Sequence, residues 1–197
     1  MRAVRELPSL AVSRQERVAA LGHGGATIWV TGLPAAGKTT LGTALERHLL
    51  KQGRTAYALD GDEIRRELCR DLGFDRESRA ENVRRVAHIA RMLADSGVIA
   101  IVALVSPFAA DRDRARELHA EMDLPFIEVY LDTPIGLCQE RDPKGLYAQA
   151  RSGQITGLTG AGGAYEPPEH PDVRIEPGPI ELSVQHVHDA LSAARVI

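Results

Sequence analysis

Eight consecutive residues, Gly32-Leu33-Pro34-Ala35-Ala36-Gly37-Lys38-Thr39, fit the pattern G-x-x-x-x-G-K-[ST] in full. Glycines at these places let main-chain N–H groups approach a polyphosphate. A lysine can reach its β- and γ-phosphates, and the following hydroxyl can ligate Mg²⁺. Thr40 extends the same turn. A second chemical group lies at Asp60-Gly61-Asp62, where either carboxylate could orient or deprotonate an attacking hydroxyl, or hold a water on Mg²⁺. The plainer alternative for this tripeptide is a D-G turn with solvated acids. A third candidate is Ser106, which could meet substrate or cap the helix that follows near Asp111.

These groups are useful only if the chain brings them to one edge. Ala26 to Thr31 (ATIWVT) is β-branched and aromatic, as a buried strand requires, and it runs into the glycine-rich loop. Leu41, Ala44, Leu45 and Leu49 then recur on one helical face, with Gly53 as the cap. Thr55 to Leu59 predicts a second strand ending at Asp60. In open α/β sheets ligands bind beyond the carboxyl ends of the strands, so Asp60, Asp62 and the loop share an edge. Ser78-Arg79-Ala80-Glu81 has the form of a capping box and predicts a helix buried through Val83, Val86, Ala87, Ala90, Leu93 and Ala94. On pattern alone, Arg79, Arg84 and Arg85 read as a solvated face. Val98 to Val105 predicts the central strand, closed by Ser106.

Further along, a helix carrying Ala115, Leu118 and Met122 precedes a strand at Phe126 to Leu131. Asp132-Thr133-Pro134 predicts a capped helix entry. From Arg141 through Lys144 to Pro171 the chain is dense in glycine and proline, as expected of a structureless lid that brings positive charge over bound phosphates. A short strand at Val173 to Ile175 and a helix through Val184, Val187, Leu191 and Ala194 close the chain. The expected architecture is α/β: a three-layer P-loop fold with a mostly parallel sheet flanked by helices. Residues 1–25 would form an arm or short helix, and 26–197 a single domain with a lid at about 141–171.

With 24 basic and 27 acidic residues the net charge is −3, so no global positive field recruits nucleic acid or an anionic membrane. Cys69 and Cys138 form no C-x-x-C, which suits a reducing cytoplasm. The longest apolar run, VIAIVALV, is too short to span a bilayer, and no signal sequence is evident. A soluble cytoplasmic protein is expected. Among the seven histidines, His186 and His188 point to different sides of a helix, and surface positions are expected rather than a metal cluster. The absence of N-K-x-D argues against a GTPase.

Taken together, TIWVTGLPAAGKTT, LDGDEIRREL, LGFDRESRAENVRRV, SPFAADRDRAR and ERDPKGLYAQARSGQITGLTG followed by YEPP resemble the adenylyl-sulfate kinase family from about Val12 to the C-terminus. These kinases phosphorylate the ribose 3′-hydroxyl of adenosine 5′-phosphosulfate. The resemblance implies that Gly32 to Thr40 and Arg141 bind ATP, with Lys38 catalytic, and that Thr39 and Asp60 serve Mg²⁺. It further implies that Asp60 and Asp62 serve the attacking hydroxyl, and that Asp62, Arg65, Phe74, Arg79, Asn82, Ser106, Lys144 and Leu158 surround the acceptor. Arg79 and Asn82 thereby move from surface to ligand contacts. Ser106 matches a serine sometimes assigned to a phosphoserine intermediate, although substrate contact suits in-line transfer better. A homodimer is also implied.

Three places depart from the family pattern. Leu158 stands where the family usually has phenylalanine, Ala161 to Ala164 replace an acidic pair, and Ala109 replaces a basic residue. All lie toward the acceptor and lid. They keep open a same-fold kinase with a different small hydroxyl or nucleotide acceptor, while a non-catalytic nucleotide-binding module is the alternative from another class.

Overall fold

A computed structural model describes residues 12–197. The sequence-based arm is described from Val12 onward, and its first eleven residues lie outside the description. Helix α1 (Arg14–Leu21) begins at a reciprocal capping box between Ser13 and Glu16. Arg14 and Arg17 tie it to Asp95 at 3.0 and 2.9 Å.

Strand β1 (Ala26–Thr31) occupies the predicted residues and is buried throughout. It is followed by α2 (Lys38–Lys51), β2 (Ala56–Asp60), α3 (Gly61–Arg66), α4 (Arg76–Asp95) and β3 (Ile99–Ala103). Then come α5 (Ala109–Ala120), β4 (Phe126–Leu131), α6 (Ile135–Arg141) and α7 (Leu146–Arg151). The two-residue strands β5 (Leu158–Thr159) and β6 (Gly162–Gly163) precede β7 (Val173–Ile175) and α8 (Ile180–Ala193).

The main sheet runs β2-β3-β1-β4-β7 with every pairing parallel, and helices flank it. Because side chains alternate along a strand, β1 feeds two cores. Ile28 and Val30 join Leu41, Leu45 and Leu49 of α2 and Val187 and Leu191 of α8. Trp29 joins Val83, Val86 and Ala90 of α4 on the opposite face. Each such aliphatic side chain, fully buried, is worth about 1.5–3 kcal/mol. Placing the first strand between β3 and β4 opens a crevice at its carboxyl end, where the glycine-rich loop emerges.

Several local expectations are corrected. The α4 cap is Asp75, not Ser78, because Asp75 accepts from both the amide and the hydroxyl of Ser78, at 2.8 and 2.7 Å. Glu81 is instead occupied by Arg84 and Arg85. Ser106 does not cap α5: Phe108 holds the cap position without a side-chain bond, and the Ala109 amide of the first turn donates to the Glu166 carboxylate at 2.7 Å. Met122 lies beyond the end of α5. Neither Asp132 nor Thr133 caps α6, where Pro134 holds the cap position. Asp132 instead accepts from Tyr130 and Arg174, at 3.1 and 2.9 Å. The segment 141–171, expected to be structureless, contains α7 and the β5–β6 ribbon. Two histidines are interior: His23 accepts from the Thr55 amide at 3.0 Å, and His119 is fully buried.

Candidate active site

The glycine-rich loop adopts its shape through backbone that side chains rarely tolerate. Gly32 (φ 153°) and Gly37 (φ 106°) lie in positive-φ space, and a Cβ on Gly32 would stand 3.0 Å from the Leu131 carbonyl. The loop's own carbonyls are drawn to one side. Lys38 Nζ donates to Gly32 O at 3.0 Å and Leu33 O at 2.7 Å. Tyr147 donates its hydroxyl proton to Pro34 O at 3.1 Å, and Thr133 donates to Ala36 O at 3.1 Å. The N–H groups of Lys38 to Thr40, in the first turn of α2, have no intrahelical acceptor and no side-chain cap. They are the natural seat of a phosphate.

A cavity of about 770 Å³ starts at Pro34 and runs along the carboxyl edge of the sheet. Gly32 and Leu33 lie outside its lining, their carbonyls taken up by Lys38. Ala35, Ala36, Gly37, Lys38, Thr39 and Thr40 line it, as does Arg141. Burial pushes the Lys38 ammonium down to about 8, with repulsion from Lys144 adding to the effect and Cys138 and Asp60 opposing it. An arriving phosphate would raise it again by favouring the charged form.

Asp60 ends β2 and caps α3, its Oδ1 accepting from the amides of Asp62 and Glu63 at 2.9 and 3.3 Å. Its Oδ2 accepts from Thr39 Oγ1 at 2.7 Å. These are hard oxygen donors beside the phosphate seat, a set that suits a divalent cation such as Mg²⁺. Asp62 also lines the cavity and is ion-paired to Lys144.

The other end of the cavity is cationic and aromatic. Arg65 lies 4.8 Å above the ring of Phe74 and Arg79 5.8 Å from it, while Phe74 itself is 70% exposed. Arg65 donates to Gly73 O at 2.6 Å, and Arg79 donates to Phe74 O at 2.7 Å. Burial lowers both guanidinium values, with repulsion from Arg65 adding to the effect at Arg79 and attraction to Asp75 opposing it at both. Arg79 also crosses to the lid, donating to Thr159 Oγ1 at 3.2 Å and Gly157 O at 3.1 Å. Asn82 is only 5% exposed, lines the cavity, and its Oδ1 has no hydrogen-bond partner among the described residues. Such an orphaned acceptor is costly unless a ligand satisfies it. Leu158 lines the same region from β5.

Ser106 lines the cavity, but its side chain turns inward. It is 3% exposed, accepts from Trp29 Nε1 at 3.1 Å and donates to Thr31 Oγ1 at 3.1 Å. A hydroxyl committed in this way is poorly placed to act as a nucleophile. Tyr147, Thr133 and Thr159 were not identified as site-supporting residues from the sequence. Their partners are distant backbone and side-chain atoms, and a lone hydroxyl carries no local signal of such contacts. Among the described residues no helix is long and apolar enough to cross a membrane.

The family model for adenylylsulphate kinase matches residues 24–176. An adenylyl-sulfate kinase of Emericella nidulans is 45% identical over 94% of each chain. A solved structure of the Mycobacterium tuberculosis APS kinase CysC, in complex with AMPPNP and APS, is 46% identical with a TM-score of 0.84, covering 86% of this chain and 99% of that one. A hexameric APS kinase from Thiobacillus denitrificans is 30% identical with a TM-score of 0.67, covering 89% of this chain and 30% of that one.

Proposed function

The chain belongs to the adenylylsulphate kinase family, and on that premise we propose that its cavity carries out ATP-dependent phosphorylation of the 3′-hydroxyl of adenosine 5′-phosphosulfate. The product is 3′-phosphoadenosine 5′-phosphosulfate. The observation that carries this reading is the union, in one cavity, of a phosphate seat at the start of α2 and a second, separate cation pair at Arg65 and Arg79. Two polyanions need two such ends on a net-negative protein.

The side chains then take distinct parts. The N–H groups of the loop and Lys38 hold the β- and γ-phosphates of ATP, and Arg141 covers the nucleotide. Thr39 and Asp60 would hold Mg²⁺, which supplies charge neutralisation at the phosphate oxygens. With Asp60 occupied by Thr39 and two amides, Asp62 is the carboxylate available to orient the 3′-hydroxyl. Arg65 and Arg79 hold the acceptor's anionic end, Asn82 Oδ1 accepts a hydrogen bond from a hydroxyl or amino group of its nucleoside, and Phe74 and Leu158 offer apolar surface to its base. Lys144 lies beside the reacting groups, ready to move from Asp62 to substrate charge. Closure of the lid, residues 141–171 of a single kinase unit, excludes water that would otherwise hydrolyse ATP. Most of the rate comes from positioning and fixed charge.

The working protein is taken to be a cytoplasmic homodimer, which light scattering of the purified chain would check. The decisive assay is ADP release from Mg-ATP with and without adenosine 5′-phosphosulfate, followed by identification of the nucleotide product. Strong stimulation with a 3′-phosphorylated product is expected. A folded, ATP-binding protein without stimulation would overturn the acceptor assignment.

A further inference from the structure

Arg112 lies on α5, away from the reacting groups, and is 3% exposed. A buried guanidinium is expensive unless its nitrogens are hydrogen-bonded and its charge is paired. Here the fork is filled from three directions: Nε donates to Glu128 Oε1 of β4 at 2.7 Å, one terminal nitrogen to Ser106 O at 2.8 Å, and the other to Glu166 O at 2.8 Å. Ser106 is a non-glycine residue at φ 37°, a backbone state that must be held by its surroundings. Glu166 stands near the end of the lid and is bound back to the same turn, its amide donating to Pro107 O at 2.7 Å and its carboxylate accepting from the Ala109 amide at 2.7 Å.

We propose that Arg112 is a positioning residue for the acceptor half of the cleft. Its planar fork fixes the strained Ser106–Pro107 turn in the cavity wall and fastens the C-terminal end of the lid to that turn. Glu128 neutralises the fork and aims it. A lysine in its place keeps the charge but cannot reach three acceptors in one plane. The turn and the lid end would then shift relative to Arg79 and Asn82, while the glycine-rich loop, tied down by Thr133 and Tyr147, would stay in place. The proposal rests on the kinase reading for its kinetic arm alone.

Trp29 supplies an arm independent of substrate. It is the sole tryptophan, and its indole N–H donates to Ser106 Oγ. Its emission therefore reports the turn directly. The experiment compares Arg112→Lys with wild type by Trp29 fluorescence in the empty protein, and by KM for each nucleotide. Arg112→Lys should red-shift the emission and raise the KM for adenosine 5′-phosphosulfate by roughly 10-fold or more, since displacements of about 1 Å at a site can cost that much. The KM for ATP should stay within about 2-fold, because the ATP loop has separate anchors.

Glu166→Ala removes one bond to the turn without leaving a buried charge. It should move the acceptor KM in the same direction by a smaller factor, and Glu128→Gln, which takes away the charge that aims the fork, should red-shift Trp29 emission and so tests Arg112 itself if Arg112→Lys folds poorly. Unchanged emission with unchanged acceptor KM in a folded variant overturns the proposal, as does an equal rise in both KM values. If wild type itself shows no stimulation by adenosine 5′-phosphosulfate, the functional reading fails, and the Trp29 emission still decides whether Arg112 holds the turn.

Discussion

Thr39 Oγ1 donates to Asp60 Oδ2 at 2.7 Å, joining the first turn of α2 to the end of β2 through the two oxygens best suited to a divalent cation. Asp60→Asn separates the two duties of this residue. Asparagine still caps α3, so the melting temperature should change little. Without the negative charge, turnover should fall by roughly 10²–10³-fold, the scale of losing one preorganised transition-state group. The Mg²⁺ concentration for half-maximal rate should rise. Wild-type turnover and Mg²⁺ response would remove Asp60 from the site.

Lys38 bridges the Gly32 and Leu33 carbonyls and is the loop cation expected to reach the γ-phosphate. Lys38→Ala should lower turnover by roughly two to three orders of magnitude while the protein remains folded by circular dichroism. ADP release under saturating Mg-ATP measures this. Turnover equal to wild type would sink the phosphoryl-transfer mechanism.

Leu158 lines the cavity where an aromatic ring could lie against a base. Leu158→Phe should lower the KM for adenosine 5′-phosphosulfate by roughly 10-fold, within the about 1–3 kcal/mol that stacking contributes per base. An unchanged or higher KM would mean that Leu158 does not face the base.

His119 is buried with both ring nitrogens engaged, Nδ1–H donating to Ala115 O at 2.7 Å and Nε2 accepting from Thr27 Oγ1 at 2.8 Å. Burial lowers its value below the ordinary histidine range, and repulsion from Arg91 and His88 adds to this, while the Ala115 bond opposes it. The unfolded chain therefore takes up a proton at a pH where the native protein does not. Stability conferred by neutral His119 should be present above about pH 6.5 and be lost as the pH falls below that value. Urea unfolding at a series of pH values should show this slope, and His119→Gln should flatten it. Parallel slopes in the two proteins would rule His119 out as its source.

The long apolar periods made the sheet legible: β1, β4 and β7 occupy the predicted residues because their burial depends on their own alternation or apolar runs. What sequence pattern missed was decided by partners far along the chain. Two cap signals overlap at Asp75-x-x-Ser78 and Ser78-x-x-Glu81, and the first prevails because Arg84 and Arg85 occupy Glu81. Thr133 reads locally as a cap but serves Ala36 instead. Arg112 resembles any charge on a polar helix until Glu128 is considered. A carboxylate in the middle of the fully buried strand FIEVYL was the one sequence sign that a buried cation had to meet it. Arg79 showed the same limit in reverse: its helix pattern suggested solvent, while the residues of the folded cavity surround it.

The anchoring of the loop carbonyls of Gly32, Leu33, Pro34 and Ala36 bears on how fast and how selectively ATP is taken up. A flexible loop would have to surrender its conformational entropy at the moment of capture. Here Thr133 and Tyr147 hold the Ala36 and Pro34 carbonyls independently of Lys38, so that part of the loop stays fixed while Lys38 turns from the Gly32 and Leu33 carbonyls toward the nucleotide. The proposed closing and reopening of residues 141–171, rather than nucleotide capture, is then the step expected to be slow.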